Sequence, residues 1–463
     1  MGWECSGSFF CAIASLAFVW RDLGRLAGGR SIRLGRIDDP KRAKRGLGSD
    51  GVSTRPEGTT VGMTGSPGTG LPLAGVTVID FGQIFQGSYA SVLMAKAGAR
   101  VIKVEPPHGE PLRQRIPPGR KSTIPFAMLN ANKQGITLNL KSARGRELLF
   151  EMVRRADVLL ENFGPGAMDA LGVGWPVLHA VNPRLIYATG TGYGISGPDK
   201  HNLAMDLTVQ AASGIMSVTG FADRPPVRAG ITVADFMGGV HLYAGIVTAL
   251  YERDRSGVGR LVEIAMQEAV YYTLAAALEQ FSRTGNVPPR TGNDSGGSAA
   301  PYGLYPLKDG LLAIHPGTEQ HWRNILKAAG RADLLEDPRF RTMHDRSGHL
   351  AEVNDIVTSW TSGLTKAEAA EQARRFRIPC SPVRDVSEVM HDPHMHGRGM
   401  LEWVEHPDLG RVVLPSSPIR LHETGVAAAT PSPRLGQDND EIYRGWLGLS
   451  EDEVAALRAE GVI

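Results

Sequence analysis

The feature that most constrains the fold is a strand–helix–strand pattern that begins near residue 75. The apolar run 75–81 predicts a short buried strand, residues 88–98 predict a helix that ends at glycine, and residues 99–105 predict a second strand. Two strands joined through a helix run parallel, with a right-handed crossover. The sequence therefore predicts an α/β fold built on a parallel sheet.

The same alternation continues along the chain. Three more strands and a helix are predicted, the strands at 136–140, 157–163 and 184–192 and the helix at 144–156. Parallel sheets bind ligands at the carboxyl ends of their strands. The turns in which we expect functional residues therefore follow Phe81, Glu105, Phe163 and Thr189.

The pattern changes near residue 283, and this change divides the chain. A turn-rich stretch occupies 283–303. Beyond it, amphipathic helices are predicted at 319–329, 347–361 and 365–377, and a last helix at 450–460 starts with a capping box. The expected divisions are an N-terminal extension at 1–68, the first part of a large domain at 69–290, a small domain with linkers at 291–390, and a segment at 391–463 that returns to the large domain.

The extension at 1–68 differs from the rest of the chain. Its apolar run at 9–20 has 12 residues, fewer than the roughly 20 that span a bilayer. A basic stretch follows at 21–45, without a clear cleavage site. We expect the extension to be disordered or not native, with Met63 as an alternative start. A membrane or nucleic-acid tether is the less favoured alternative.

Composition argues against several classes of protein. Fifty Lys and Arg residues face forty-eight Asp and Glu residues, and the net charge of +2 creates no field that would favour nucleic acid. The three cysteines, Cys5, Cys11 and Cys380, are too few for a disulfide framework and lack zinc-site spacing. Cys380 follows a predicted helix and is expected to be a packed thiol. A cytoplasmic protein is expected, without nucleic-acid or membrane partners.

Two motifs look like ligand sites but have simpler explanations. Residues 192–197 spell G-x-G-x-x-G after a predicted strand, yet no apolar helix follows, which favours a glycine-rich turn over a dinucleotide site. His391, His394 and His396 are spaced as metal ligands can be, but no set of carboxylates accompanies them. We expect these histidines on a surface loop, and no metal site.

Asp235 is the strongest catalytic candidate. A helix pattern over 236–253 places it at or just before the N-terminus of a helix. Aspartate is a favoured N-cap, and capping alone would account for it. The alternative is a nucleophile, since free N–H groups and the helix dipole would keep the carboxylate ionised at neutral pH. Both interpretations stay open on these residues alone.

Three further residues bear on the role of Asp235. Gly238 and Gly239 leave the first helical turn without side chains, so a ligand could reach the carboxylate and nearby amides, a possible oxyanion region. Asp206 lies in a polar loop ahead of an apolar stretch. It could cap a helix, or act as a second carboxylate that supports Asp235.

A series of motifs in a fixed order covers residues 71–463. They are LPLAGVTVIDFG (71–82), GARVIKVEPPHGEPLR (98–113), NANKQGITLNLK (130–141), ADVLLENFGPGAMDALG (156–172), NPRLIYATGTGYG (182–194), AGITVADFMGGVH (229–241), GRLVEIAMQEAV (259–270), IPCSPVRDVSEV (378–389) and PRLGQDNDEIYRGWLGLSEDEVAALRAEGVI (433–463). The series resembles the family III CoA-transferases, also called the CaiB–BaiF family.

The resemblance implies a fold and a reaction. The fold is a Rossmann-like parallel-sheet large domain with a smaller α/β domain, in a homodimer of interlocked rings. The reaction moves CoA from an acyl-CoA to a carboxylic acid through aspartyl anhydride and aspartyl-CoA thioester intermediates. The family's nucleophile falls on Asp235. CoA thioesters are then substrates, and no permanently bound cofactor is implied.

The resemblance also implies residues that contact CoA. The segments that line CoA in the family fall on Leu138, Asn139, Leu140 and Lys141, on Asn162, Phe163 and Gly164, and on Asn202 to Met205. The family's mobile loop falls on Gly296 and Gly297. Arg113 and Lys141 are candidates for the CoA phosphates by charge, although both could also be solvated surface cations.

The chain departs from formyl-CoA transferases at several positions. Phe85 stands in place of a glutamine, Pro106 and Ala170 stand in place of arginines, and the tryptophan expected near Arg115 is missing. The glycine run of the mobile loop is also shortened. Formyl-CoA and oxalate are therefore not expected as substrates.

Two other functions are compatible with the resemblance. α-Methylacyl-CoA racemases use an Asp, which matches Asp235, and a His that should fall near Met205. A thioether cannot transfer a proton, and His201 lies four positions upstream. A non-catalytic CoA-binding protein is the third possibility. CoA transfer is the favoured function.

Overall fold

A six-stranded sheet forms the centre of the fold. The computed structural model describes residues 70–463, so the extension predicted at 1–68 lies outside it. The strands are β1 (Thr77–Asp80), β2 (Arg100–Glu105), β3 (Gln134–Thr137), β4 (Val158–Glu161), β5 (Ile186–Thr191) and β6 (Leu261–Ala265). Their order is β3-β2-β1-β4-β5-β6, and every neighbouring pair is parallel. The order reverses between β1 and β4, where sheets of this topology bind ligands.

Helices make up most of the remaining regular structure. They are α1 (Gln86–Lys96), α2 (Pro111–Gln114), α3 (Ile124–Asn130), α4 (Ala143–Val153), α5 (Ala167–Ala170), α6 (Trp175–Val181), α7 (Asp206–Ala212), α8 (Val233–Ser256), α9 (Met266–Tyr271), α10 (Ala275–Thr284), α11 (Glu319–Ala328), α12 (Met343–Ser347), α13 (Leu350–Thr361), α14 (Lys366–Phe376), α15 (Val386–Met390), α16 (Pro393–Gly397) and α17 (Glu451–Ala459). Short 3₁₀ turns occur at Ile215–Val218, Tyr272–Leu274, Ala332–Leu334 and Pro338–Phe340, and a π-helical turn at Glu441–Trp446.

Both faces of the large sheet are covered, which explains why its strands are apolar along their length. On one face, α1 and α8 contribute Met94 and Leu242 to the core. On the other face, α4, α6 and α17 contribute Leu148, Leu178 and Leu457. Helix α8 is long and apolar enough to cross a membrane by length and composition. Here it packs against α1 and the sheet as a core helix.

A smaller antiparallel sheet has a core of its own. Its strands are β7 (Gly303–Leu307), β8 (Gly310–Ile314) and β9 (Cys380–Pro382), in that order. Helices α11, α13 and α14 cover it, and Trp322 and Val357 lie in the core between them. Arg346 is buried beside this core, where its Nε donates to the carbonyl of Ala300 at 2.7 Å.

The end of the chain returns to the large sheet. After a hairpin of β10 (Leu401–His406) and β11 (Gly410–Pro415), the π-helical turn and α17 pack on the core at the β3 side. Tyr443 is fully buried, and its hydroxyl donates to the carbonyl of Thr137 at 2.7 Å. Asn439 Nδ2 donates to Thr137 Oγ1 at 2.9 Å. These bonds join the last residues to the carboxyl end of β3.

The observed elements agree with most of the predicted ones, and the α/β fold with a parallel sheet is confirmed. Four of the predicted strands are shorter by one or two residues at one or both ends, as at 157–163, where β4 covers four residues. The strand predicted at 136–140 is displaced instead, because β3 begins at Gln134 and ends at Thr137. Helix α8 starts three residues earlier than expected, at Val233. The described residues form one compact unit, so the division into large and small domains stays a prediction.

Charged side chains are buried where β1 and β2 end. Lys133 Nζ lies 2.9 Å from Asp80 Oδ2, and both side chains are fully buried. Lys103 Nζ lies 3.3 Å from Glu110 Oε1 and donates to the carbonyl of Gly82 at 2.8 Å. Burial lowers the pKa of Lys133 to about 8, although the charge of Asp80 opposes the shift. Removing one partner would leave the other charge buried without compensation.

We therefore expect Asp80→Ala to lower the free energy of unfolding by about 3–5 kcal/mol, because Lys133 would lose its counter-charge in a dry site. Urea unfolding followed by circular dichroism measures this loss. Glu371→Ala is the matched control, since Glu371 and Arg374 form an exposed pair 2.6 Å apart. The control should change stability by less than about 0.5 kcal/mol. Equal effects of the two variants would contradict the importance of burial.

Candidate active site

A cavity of about 390 Å³ lies where β4 and β5 end and α8 begins. Its lining includes Asp235 and seven residues of the predicted CoA segments, which are Asn162, Phe163 and Gly164 and the stretch from Asn202 to Met205. They come from three separate segments of the chain. The fold therefore brings the nucleophile candidate together with two of the three predicted CoA segments.

Glycines at the end of β5 and directly after it allow neighbouring elements to approach this cavity. A Cβ on Gly190 would lie 2.8 Å from Gln86 Oε1, and a Cβ on Gly192 would lie 2.0 Å from Ala204 Cβ. Gly194 has a φ of 90°, in the left-handed region that favours glycine. The next helix begins only at Asp206. The G-x-G-x-x-G run is thus a turn, as expected, and does not open a helix.

Asp235 is the third residue of α8 rather than its N-cap, which corrects its predicted position. The N-cap is Thr232, whose side chain makes no capping hydrogen bond. Asp206 Oδ1 accepts instead from the backbone N–H of Ala234 at 2.8 Å and from that of Asp235 at 3.3 Å. Gln210 Nε2 donates to the other oxygen of Asp206 at 2.6 Å. Because Asp206 caps α8, the Asp235 carboxylate is not needed there.

The surroundings of Asp235 favour its neutral form. Burial and the charge of Asp206 raise its pKa to about 7, while Arg115 acts in the opposite direction. The N–H groups expected to hold the charge bond instead to Asp206, so near pH 7 the carboxylate is expected to be partly protonated rather than fully ionised. Within residues 70–463, the hydrogen bonds of Asp235 outside the helix ladder involve its backbone and not its carboxylate. The carboxylate is therefore available to a ligand.

Gly238 and Gly239 do not open a path for a ligand, which corrects the proposed oxyanion region. A Cβ on Gly238 would lie 2.7 Å from Gln86 Nε2, and a Cβ on Gly239 would lie 2.7 Å from the carbonyl of Gln86. Both glycines are buried against α1. Their N–H groups lie past the first four of the helix, so intrahelical bonds use them. The glycines allow two helices to pack closely.

A second cavity, of about 560 Å³, adjoins the first. The third predicted CoA segment, Leu138, Asn139, Leu140 and Lys141, lines it. Gln83 and Phe163 line both cavities. Asn162 holds this shared wall, because its Oδ1 accepts from the N–H of Gln83 at 2.7 Å and its Nδ2 donates to the carbonyl at 3.1 Å. All three predicted CoA segments thus line two adjoining cavities.

Arg113 is not free to bind a phosphate, which corrects another prediction. Its Nε and Nη2 donate to the two oxygens of Glu105 at 2.7 and 2.8 Å, and Nη2 also donates to the carbonyl of Pro433 at 2.9 Å. The guanidinium lies 4.0 Å from the ring centroid of Phe126. A bidentate ion pair of this kind is strong and directional. Lys141 is exposed at the second cavity and remains a candidate.

Other candidates from the sequence lie elsewhere. Gly296 and Gly297 adopt φ values of 66° and 83° and line neither cavity. His396 belongs to the short helix α16 rather than to a loop, and its ring stacks on Trp403. Cys380 is half-buried in β9, and burial raises the pKa of its thiol to about 11, as for a packed thiol.

Gln86 also lines the cavity of Asp235, and the sequence motifs did not single it out. It is the first residue of α1 and is 2% exposed. The available signal was a polar side chain directly before Gly87, at the turn after a predicted strand. The glutamine of formyl-CoA transferases falls on the neighbouring position, Phe85, and not on Gln86.

Residues 73–439 match the CoA-transferase family III. The chain therefore belongs to the family III CoA-transferases and is a CoA-transferase, which confirms the resemblance found in the sequence. Its fold is also similar to the crystal structure of a CaiB/BaiF family protein from Brucella suis, with a TM-score of 0.71 and 30% identity over 85% of this chain and 100% of that one.

Two curated relatives show the range of named activities among similar proteins. A formyl-CoA:oxalate CoA-transferase of Streptomyces coelicolor is 36% identical over 419 residues, covering 85% of this chain and 100% of that protein. A succinyl-CoA–D-citramalate CoA-transferase of Chloroflexus aurantiacus is 35% identical over 395 residues, covering 85% and 98%. The reaction class is common to both, and the named acids differ.

The raised pKa of Asp235 predicts how stability depends on pH. Because the folded pKa, about 7, lies above the usual value of 3.8, the folded protein binds the proton more tightly than the unfolded chain. This contribution is fully present below about pH 4 and is lost as pH rises through 7. Asp235→Asn should therefore be more stable than the unmodified protein by roughly 1–3 kcal/mol at pH 8, and little different at pH 4. Urea unfolding at both pH values measures this, and a pH-independent difference would contradict it.

Proposed function

We propose that this CoA-transferase moves CoA from an acyl-CoA to a carboxylic acid through covalent intermediates on Asp235. The observation that carries the proposal is an accessible carboxylate that neither caps its helix nor forms an ion pair, in a cavity at the carboxyl ends of the parallel strands. A carboxylate that no protein group occupies can attack a thioester carbonyl once it is ionised.

The two cavities support a position for the substrate. We place the thioester end of CoA beside Asp235 and the rest of the molecule along the cavity lined by Leu138 to Lys141, past the shared wall at Gln83 and Phe163. The leucines and Phe163 offer apolar contacts to the pantetheine arm. Lys141 offers a positive charge for a phosphate group.

The proposed reaction proceeds in four balanced steps. A carboxylate oxygen of Asp235 attacks the thioester carbonyl carbon, the C–S bond breaks, and a mixed anhydride and a CoA thiolate form. The thiolate attacks the carbonyl carbon of Asp235, which releases the first acid as a carboxylate and leaves aspartyl-CoA. The acceptor carboxylate attacks this thioester and releases the thiolate again. The thiolate then attacks the acceptor acyl carbon and restores Asp235.

Energetics favour this route for a protein with one reactive carboxylate. Exchanging one thioester for another is close to thermoneutral, so the enzyme must lower barriers rather than supply energy. The same burial that raises the pKa of Asp235 also removes water from around it. A poorly solvated carboxylate loses less hydration when it attacks. We expect the ionised fraction, and with it the rate, to increase as pH rises through 7.

The acids themselves differ, in our proposal, from formate and oxalate. Phe85 occupies the position at which formyl-CoA transferases carry a glutamine, and its ring packs 5.9 Å from that of Phe236, directly after Asp235. Tyr89 adds a third ring, 4.9 Å from Phe236. We infer that these rings, which pack against the buried Phe126 and line neither cavity, favour acyl groups with an apolar part over formyl or oxalyl groups through the shape of the neighbouring wall.

We also propose a cytoplasmic homodimer. The segment 271–287 supports this proposal, because it exposes large apolar side chains along and beside α10, and no residue of that helix is buried in the single chain. Tyr272 is 83% exposed, Phe281 50% and Val287 68%. A second copy of the chain would remove this surface from water. The small-domain boundaries and the interlocked arrangement belong to the same proposal.

Asp235→Ala should reduce CoA transfer by at least about 10⁴-fold, because no other group can form the covalent intermediates. Transfer between acyl-CoA donors and a panel of carboxylates, followed by mass spectrometry, measures the loss. Hydroxylamine added during turnover should convert Asp235 of the unmodified protein to a hydroxamate. CoA binding should change little, and the melting temperature should stay the same or rise, because a buried carboxylate is removed.

Asp254→Ala is the matched control, since Asp254 is an exposed aspartate at the far end of the same helix. This variant should retain full transfer. Full activity of Asp235→Ala would contradict the nucleophile assignment. Uptake of deuterium at the α-carbon of a 2-methylacyl-CoA, without any acceptor acid, would favour a racemase instead.

The homodimer is tested by placing charge on the exposed segment. Tyr272→Asp combined with Phe281→Glu should shift the mass in solution from a dimer towards a monomer, because two buried carboxylates would oppose association. Light scattering after size exclusion measures the mass. Val386→Asp, at a position 84% exposed on α15, serves as the control. A monomeric unmodified protein would overturn the proposal.

A further inference from the structure

The side-chain amide of Gln86 is buried without a partner. The residue is 2% exposed, and within the described residues its Nε2 makes no hydrogen bond. A buried polar group in this state costs the folded protein free energy, because it has given up its bonds to water. Such groups are rare in folded proteins, and each one calls for an explanation. When such a group lines a cavity, a bound ligand can supply the missing hydrogen-bond partner.

Two glycines make room for this amide. A Cβ on Gly190 would lie 2.9 Å from Gln86 Nε2, and a Cβ on Gly238 would lie 2.7 Å from it. A side chain at either position would push the amide away. The carboxyl end of β5 and the second turn of α8 therefore both have a glycine, without a side chain, next to the amide.

The position of Gly238 relates the amide to Asp235. Residues three apart on a helix are neighbours, with Cβ atoms roughly 5–6 Å apart. Cα–Cβ bonds also tilt towards the helix N-terminus, so the side chain that Gly238 lacks would point towards Asp235. The amide of Gln86 fills that space. Gln86 and Asp235 also line the same cavity.

We propose that Gln86 is a catalytic residue that binds the acyl carbonyl oxygen during attack by Asp235. This inference rests on the proposed transfer reaction. As the Asp235 oxygen bonds to the carbonyl carbon, the carbonyl electron pair moves onto oxygen, and an N–H of Gln86 Nε2 donates a hydrogen bond to it. The oxyanion collapses, the C–S bond breaks, and the thiolate leaves with the electron pair. No proton is transferred, and Gln86 is unchanged.

The amide would serve both acyl groups in turn. Each step of the transfer passes through a tetrahedral oxyanion next to Asp235, on the substrate acid or on Asp235 itself. A donor fixed by packing on both sides does not need to reorganise when the charge develops. The glycines of α8 thus contribute to catalysis through the donor that they admit, rather than through their own N–H groups.

The test replaces Gln86 by methionine, which keeps the length of the side chain and removes the donor. Gln86→Met should lower kcat about 10²–10³-fold. The KM for acyl-CoA should change by less than about threefold, because the bond forms in the transition state. The melting temperature should stay the same or rise, since an unpaired buried group is removed. Gln320→Met, on the exposed face of α11, is the control and should leave kcat unchanged.

A substitution at Gly238 tests whether the position of the amide matters. Gly238→Ala places a methyl group against Nε2 and should lower kcat by displacing the donor. In a protein that already carries Gln86→Ala, adding Gly238→Ala should lower kcat little further, because both substitutions act through the same amide. Additive losses would contradict the proposal.

The outcomes separate this inference from the function on which it rests. Full kcat in Gln86→Met, or a fall that only follows the loss of folded protein, would overturn the role of Gln86 while Asp235→Ala still abolishes transfer. If the unmodified protein moves no CoA, or Asp235→Ala remains active, the proposed function fails and the role of Gln86 fails with it.

Discussion

The site depends on the buried carboxylate of Asp80, at the carboxyl end of β1. Its Oδ1 accepts from the N–H of Gly82 at 2.7 Å, and its Oδ2 accepts from Ser91 Oγ at 2.7 Å and from Lys133 Nζ at 2.9 Å. Since Ser91 belongs to α1, one side chain fixes both ends of the turn between strand and helix. A Cβ on Gly82 would lie 2.7 Å from Asp80 Oδ1, so the turn requires glycine. This turn sets where α1 starts, and with it the position of Gln86.

The sheet could be predicted from the sequence because its strands are buried on both faces and leave short apolar runs between helical patterns. Asp235 could be found because its glycine-rich surroundings form a motif. Its neighbours could not, because their bonds join distant parts of the chain: Asp206 caps a helix that begins 27 residues later. The charge of Arg113 suggested a phosphate, but only the fold shows that Glu105 already occupies its guanidinium.

Two carboxylates in different environments, those of Asp206 and Asp235, lie at the start of α8. Asp206 accepts hydrogen bonds from backbone N–H groups at the N-terminus of α8, where the helix dipole favours a negative charge. Each of its two oxygens has a hydrogen-bond partner. Asp235 receives burial and the repulsion of Asp206, which raise its pKa to about 7. A single carboxylate could not both cap the helix and stay open to attack a substrate. The pair is therefore compatible with the nucleophile role proposed for Asp235.

The Asp235 carboxylate and the Gln86 amide both cost the protein folding free energy when no ligand is bound. Each group has lost contact with water without gaining a protein partner. A bound acyl group would offer a carbonyl carbon to one and a carbonyl oxygen to the other, so binding would relieve both costs together. Mass action then stabilises the folded protein as substrate binds. The buried ion pairs and closely packed glycines around the site hold these two groups in place until that happens, which a looser core would not do.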